Sequence, residues 1–379
     1  EIFEAAQTAG GRARRLEQTF AGKPLDNGQH ILIGAYRDTL ALMRTVGLHP
    51  EALLQRIPLD LRFEDGQGLS LPDWPAPFNL IAGLAHAKGW QLQDKASLIK
   101  AAWRWQRAKF TCNDAWTVAQ LCDQAELSTC VMQQLIEPLC LSALNISVKE
   151  ASARVFLRVL QDALLGGAGS SDLLIPREDL SQLLPDACLR WLITHGAIIH
   201  LGKRVTPSDV DALYSQASVN QPIVLACPAW EAARLSADIA PAWAEQTAQL
   251  SHTAIATVYL RCTDTDFLGL PRPMVALHSH AQAPAQFVFD RGLLAGQTGL
   301  LAAVVSACDI ERDTLSELVQ SQVSKQLGLQ SLTWVQTVVE KRATFACTPA
   351  LIRPSQRIAP ALLACGDYVA GPYPATLEG

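Results

Sequence analysis

The sequence predicts a mixed α/β (α+β) fold, and three observations carry that reading. Short apolar runs closed by an acid lie near both ends of the chain: Ile2-Phe3 before Glu4, and Ala361 to Cys365 before Gly366-Asp367. A long middle stretch, Pro77 to Leu165, has helical periodicity almost throughout. After Thr253 the apolar runs are short and β-branched, with few helices between them, as in an antiparallel sheet.

In chain order, Leu25 to His30 follows a strand and a turn, and Ile31 to Val46 reads as a helix. Its cap would be Asp26 or Asn27. Leu59 to Phe63 and Gly68 to Leu71 read as a hairpin turning at Asp65-Gly66. Helices follow at 78–88, 94–108, 117–126, 129–143 and 149–165, with Trp90, Trp103, Trp105, Phe110 and Trp116 among them. Each of these aromatics taken singly reads as core. Trp103-Arg104-Trp105-Gln106-Arg107 also has the composition of an interfacial face.

Gly166 to Ser171 is a link, and Leu173 to Arg177 leads into a helix capped by Asp179 or Ser181 that runs to about His195. Ala197 to Leu201 and Arg204-Val205 read as a strand pair turning at Gly202-Lys203. Pro222 to Pro228 is a buried strand, and Trp230 to Leu235 a helix. Strand and helix alternating here suit a parallel sheet. Strands at 253–261, 274–277, 286–289 and 300–306, a helix at 311–327 and a long strand at 332–342 complete the chain, with Asp290-Arg291-Gly292 as a turn.

The 379 residues suffice for two connected domains, with 49% apolar and 18% charged residues and a net charge of −5. That charge gives no reason to expect nucleic acid. The ten cysteines have no metal spacing and no Cys-x-x-Cys, so reduced thiols in a cytoplasmic protein are expected. Runs such as Gly299 to Ala307 fall well short of a membrane span. A peripheral contact at the inner membrane stays open. No Ser-His-Asp order, zinc motif or P-loop competes for the chemistry.

The two chain ends carry the functional signal. Glu4 closes a strand, as does the acid that accepts ribose hydroxyls in a dinucleotide-binding unit. Gly10-Gly11-Arg12 brings backbone and then a guanidinium close to a ligand, suited to pyrophosphate. At the other end, Asp367 closes a strand, and Pro374 sits near N1 of an expected helix whose first turn is Ala375 to Gly379. A free helix N-terminus offers N–H groups to a polar cofactor.

Acid, short gap and Gly10-Gly11-Arg12, with Gly366-Asp367 and Pro374-Ala375-Thr376-Leu377-Glu378-Gly379, resembles the flavin motifs of the amine oxidase and carotenoid desaturase superfamily. Leu25-Asp26-Asn27-Gly28-Gln29-His30, Glu137 to Asn145, Ser152 to Leu157, Phe287 to Gly292 and Glu340 to Phe345 resemble one subgroup, the hydroxysqualene dehydroxylases, over essentially the whole chain.

The resemblance implies a Rossmann-like FAD-binding domain (1–58, 173–250, 346–379). With it would interleave a substrate domain of antiparallel sheet plus helical cap (59–172, 251–345). It implies FAD contacts at Glu4, Gly10, Gly11, Arg12, Gly28, Gln29, His30, Gly366, Asp367, Pro374, Ala375, Thr376 and Leu377, and an adenine contact through the Val205 backbone. His30 is the candidate acid, with a structural histidine as the alternative reading. It implies non-covalent FAD, since Cys365 lies within the strand and the motif holds no other cysteine. The reaction implied is reductive removal of the hydroxyl of hydroxysqualene to give squalene, within hopanoid synthesis; the reductant of the flavin is not indicated.

The alternatives are an oxidative carotenoid-type desaturase and a polyprenoid-binding protein without flavin; an amine oxidase suits the apolar cap less well. The Gly-x-Gly-x-x-Gly fingerprint is expected just upstream of Glu1, because Gly166-Gly167-Ala168-Gly169 has neither its spacing nor its setting. The resemblance therefore implies a chain trimmed at both ends, by about thirty residues at the front.

Overall fold

In the antiparallel part of the molecule, five strands lie side by side in the order Met274–Ala276, Phe287–Asp290, Leu300–Ser306, His252–Cys262 and Leu332–Phe345. The computed structural model describes residues 1–379. Successive side chains of a strand point to opposite faces, so both faces of this sheet are set by alternate residues. Ala256, Val258 and Leu260 join Val288, Leu301 and Ala303 against Leu315, Val319 and Val323 of the Arg312–Leu327 helix. Tyr259, Met274, Phe287, Phe289, Leu300 and Ala302 face the other way, into the core shared with the helices of the middle region. The sheet is thus covered on both sides, and each buried Val or Leu contributes about 1.5–3 kcal/mol.

The middle helices form where the periodicity places them: Phe78–His86, Leu92–Arg107, Val118–Ala125, Glu137–Leu144 and Ala153–Leu165. The expected 129–143 helix is interrupted by a wider turn over Met132–Ile136, just before Pro138, which has no N–H to continue the regular ladder. Asn145 ends this stretch in the left-handed region (φ 52°) and ties it to the sheet. Its Nδ2 donates to the hydroxyls of Thr253 and Thr344, both at 2.9 Å, and its Oδ1 accepts from the Ala307 N–H at 2.6 Å.

Parallel pairing joins distant parts of the chain: Ile2–Phe3 with Ile199–His200, and Leu362–Ala364 with Ile223–Leu225. Three expectations change here. The helix expected from Ile31 begins only at Arg37; Leu32–Ile33 instead pairs antiparallel with Leu173 and Leu174. Gly34 explains the switch, because a Cβ there would stand 1.9 Å from the Gly169 carbonyl oxygen, a backbone approach suited to an extended crossing. The strand pair expected over 196–205 does not close on itself; Ile199–His200 bonds across to the opening strand, and Arg204-Val205 lies outside any strand. The helix expected to run from Asp179 to His195 divides into Leu180–Leu183 and Pro185–Thr194 at Leu184, the residue that Pro185 drives out of helical geometry.

Candidate functional site

The two ends of the chain meet at one ion pair. Gly10 (φ 112°) and Gly11 (φ 55°) take conformations that favour glycine, and the Ala13 N–H closes the turn onto Gly10 O at 2.9 Å. A Cβ on Gly10 would meet Ala13 O at 2.7 Å and Pro185 Cγ at 2.9 Å. The turn projects Arg12 onto Asp367, 355 positions away, at 3.0 Å, and onto the Ala343 carbonyl. Asp367 follows the buried Leu362–Ala364 strand, so both acids named from sequence, Glu4 and Asp367, close parallel strands. Glu4 turns back on its own loop, accepting from the Ala6 N–H at 2.7 Å.

Gly28, Gln29 and His30 lie over the His252–Cys262 strand of the large sheet. The Gln29 N–H donates to the Thr257 hydroxyl at 3.2 Å, and His30 Nδ1 sits 3.0 Å from Gly28 O. Burial, aided by the Arg12 charge, lowers the His30 pKa despite the Gly28 carbonyl, so the imidazole is held neutral near neutral pH.

Beneath this segment is a buried network around Asp26, which ends the Lys23–Asp26 strand; neither it nor Asn27 caps the helix, which begins at Arg37. Arg291 donates to Gln29 Oε1 and Gln297 Oε1, both at 3.2 Å, and its Nη2 stands 3.6 Å from Asp26. Asp26 accepts from the Leu180 N–H at 2.8 Å, and its carbonyl accepts from the Tyr259 hydroxyl at 3.0 Å. Burial raises the Asp26 pKa to about 6; Arg291 and the Leu180 N–H pull it down, and Asp179 adds to the rise. Asp290-Arg291-Gly292 is not an open turn. It starts the Arg291–Ala295 helix, capped by Asp290, whose carboxylate accepts from Leu293 N–H at 3.1 Å and Leu270 N–H at 2.7 Å. The signal was present in Leu25-Asp26 and in Phe287-Val288-Phe289-Asp290-Arg291, where charges are embedded in apolar runs.

The last residues depart from the expectation. Pro374 to Gly379 form no helix, because Ala375 is left-handed (φ 59°). Its N–H bonds instead to Asp367 O at 3.2 Å. Leu377 O accepts from the Thr39 hydroxyl at 3.1 Å, and Thr376 faces Tyr36. The Glu378 carboxylate accepts the Asp38 and Thr39 N–H groups, each at 2.8 Å, so it caps the Arg37–Thr45 helix, whose own Tyr36 gives no side-chain cap. Glu378 therefore supplies an anion to another helix, and residues 374–379 are not helical. Val205 packs beside the Val210–Tyr368 core, and its carbonyl accepts from Arg234 at 3.3 Å.

Gly10 and Leu377 line one apolar cavity of about 340 Å³ with Leu32, Met43 and Leu184. A second cavity of the same volume is walled by Trp230, Leu250, His252 and Arg342, the guanidinium lying 4.5 Å from the Trp230 ring centroid. Burial, Arg342 and Arg12 lower the His252 pKa, while the Leu250 backbone and Asp367 oppose them.

A flavin dinucleotide needs a cation for its pyrophosphate and backbone that approaches without a side chain. Arg12, partly exposed and balanced by one carboxylate, beside Gly11 with open space around its Cβ position, fits that requirement. The 374–377 segment does not supply the helix N–H donors.

The whole chain, residues 1–379, matches the family of flavin-containing amine oxidoreductases. It is 26% identical to a hydroxysqualene dehydroxylase of Rhodopseudomonas palustris over 408 residues, covering 100% of this chain and 89% of that protein. A hydroxysqualene dehydroxylase of Zymomonas mobilis is 22% identical over 401 residues with the same coverage. Among solved structures, an oxidoreductase from Methanosarcina mazei superimposes with a TM-score of 0.69 at 14% identity, covering 100% of this chain and 91% of that one.

Proposed function

Because this chain belongs to the flavin-containing amine oxidoreductase family, we propose that it is an oxidoreductase that reductively removes the hydroxyl of hydroxysqualene to give squalene. The observation that carries this reading is the end-to-end similarity to proteins of that name, with no part of the chain left over.

The cofactor on this reading is FAD, held non-covalently. When bound and reduced, it supplies the hydride. In the net change the carbon–oxygen bond breaks, the hydroxyl leaves as water with one proton, and hydride takes its place on carbon. Arg12 would hold the pyrophosphate, kept in position by Asp367. Gly28 would let the ring system lie against the backbone, and Arg291 would fix Gln29 from below. Glu4 and Val205 would face the adenosine end, and Leu377 would close the apolar wall beside Gly10. His30 is the group proposed to deliver the proton, after taking it up against its lowered pKa.

The domain reading goes with this assignment: residues 1–58, 173–250 and 346–379 for the cofactor, 59–172 and 251–345 for the substrate. The single apolar core that the middle helices share with one face of the large sheet supports grouping 59–172 with 251–345. The test is anaerobic incubation of the purified protein with reduced FAD and hydroxysqualene, with extraction for squalene. Squalene formation is the expected result. Bound flavin without squalene would overturn the substrate, and would direct the assay to carotenoid precursors; a protein that takes up no flavin would overturn the enzyme reading.

A further inference from the structure

The Leu92–Arg107 helix is apolar on two opposite sides. At about 100° per residue, Asp94, Leu98, Ala101 and Trp105 fall on one side, which faces the core. Leu92, Ala96, Ile99 and Trp103 fall on the other, and all four are exposed. The neighbouring Phe78–His86 helix repeats the pattern with exposed Phe78, Ile81 and Ala85. Lys95 Nζ donates to Ala85 O at 2.7 Å, linking the two helices. Trp74, Phe78, Ile81, Leu92, Ile99 and Trp103 keep between 56% and 86% of their surface in water. Three of the four large aromatics that are at least half exposed are here; the fourth is Trp334. A concentration of exposed apolar side chains of this kind marks an interaction site.

The charges around it say what covers it. From Trp74 to Phe110 there are six lysines and arginines against the single acid Asp94, a net +5 in a chain of −5. Lys100 and Arg104 pair with Glu126, while Lys88, Lys95, Arg107 and Lys109 have no carboxylate partner. The Arg107 guanidinium lies 5.4 Å from the Trp103 ring centroid, so the cation and the aromatic sit at one level. A second copy docking by two-fold symmetry would bring these same cations face to face. An anionic bilayer instead accepts apolar side chains at its acyl boundary, aromatics at the interface and cations at the headgroups.

We propose that the exposed face of the Phe78–His86 and Leu92–Arg107 helices docks this protein onto an anionic lipid bilayer, lying in the interface without crossing it. No helix of the structure is long and apolar enough to span a membrane. The proposal rests on this face alone and holds whatever the substrate is.

Flotation with phosphatidylcholine vesicles, with and without phosphatidylglycerol, tests it. The protein is expected to float with the anionic vesicles, and Lys88→Gln with Arg107→Gln to weaken partitioning about fivefold per cation removed. Ile99→Ser with Trp103→Ser should abolish flotation. Val219→Ser with Leu268→Ser, more exposed but elsewhere, should leave it unchanged. Circular dichroism and melting should show the fold intact in every variant, since all six side chains are exposed. The proposal is overturned if the protein stays at the bottom with anionic vesicles, if the Ile99/Trp103 variant floats like the parent, or if sedimentation shows a dimer that this variant dissolves.

Discussion

Replacing Arg291 with Met removes the countercharge of a buried carboxylate while keeping a long apolar stem in its place. In the parent, Asp26 has a pKa near 6 against an ordinary 3.8, a rise of about two units worth about 3 kcal/mol. A carboxyl whose pKa is raised on folding binds more protons in the native state. The contribution of Asp26 to the parent's stability therefore falls as pH rises from about 3.8 to about 6 and levels off above it. Without Arg291 the fall extends to higher pH.

Above pH 6 the variant should lose about 3–5 kcal/mol, the cost of leaving one member of a buried ion pair alone. Well below that pH, Asp26 is protonated in both proteins. The loss should then shrink to about 1–2 kcal/mol, from the bonds to Gln29 and Gln297 left unmade. Urea unfolding followed by tryptophan fluorescence, on either side of pH 6, measures both values. An equal loss on the two sides, or less than about 1 kcal/mol at the higher pH, would refute the assignment of Asp26 and Arg291 as a coupled buried pair.

Gly10→Ala places a Cβ 2.7 Å from Ala13 O at φ 112°, and should cost about 1–3 kcal/mol in melting experiments while weakening flavin uptake in titration. Arg12→Ala should raise the dissociation constant for FAD at least tenfold. It should change unfolding free energy by no more than about 1 kcal/mol, because the Arg12–Asp367 pair is partly solvated. Gly34→Ala drives a methyl into the Gly169 carbonyl and should destabilise by about 3 kcal/mol or more by urea unfolding, with no direct effect on cofactor chemistry. If His30 delivers the proton, turnover should decline as pH rises from an apparent pKa below that of free imidazole. His30→Ala should then lower turnover by about 10²–10⁴-fold and erase that limb; an unchanged pH profile would return His30 to a structural role.

The order of elements was legible in the residues because it follows from local periodicity. The middle helices from Phe78 to Leu165 and the strands from His252 onward declare themselves by spacing alone. So did the acids closing strands at Glu4 and Asp367, and the glycine turn ahead of Arg12, since each is a short-range pattern. What escaped is non-local. Ile31-Leu32-Ile33 continues a helical run until Gly169 arrives from across the molecule to demand Gly34 beside it. Ile199–His200 looks like half of a hairpin until Ile2–Phe3 takes its hydrogen bonds.

The site divides the same way. Residue type and order place a guanidinium and two acids at the chain ends, but their meeting at 3.0 Å needs the parallel strands to bring together positions 355 residues apart. The Glu378 cap on the Arg37–Thr45 helix depends on Ala375 turning left-handed, which no local preference of alanine foretells. The raised pKa of Asp26 depends on burial, a property of the packed molecule that the identity of the residue does not carry. Periodicity acts within a few residues and survives in one dimension, whereas pairing, desolvation and close backbone approach arise between segments far apart in the chain, and exist only once it has folded.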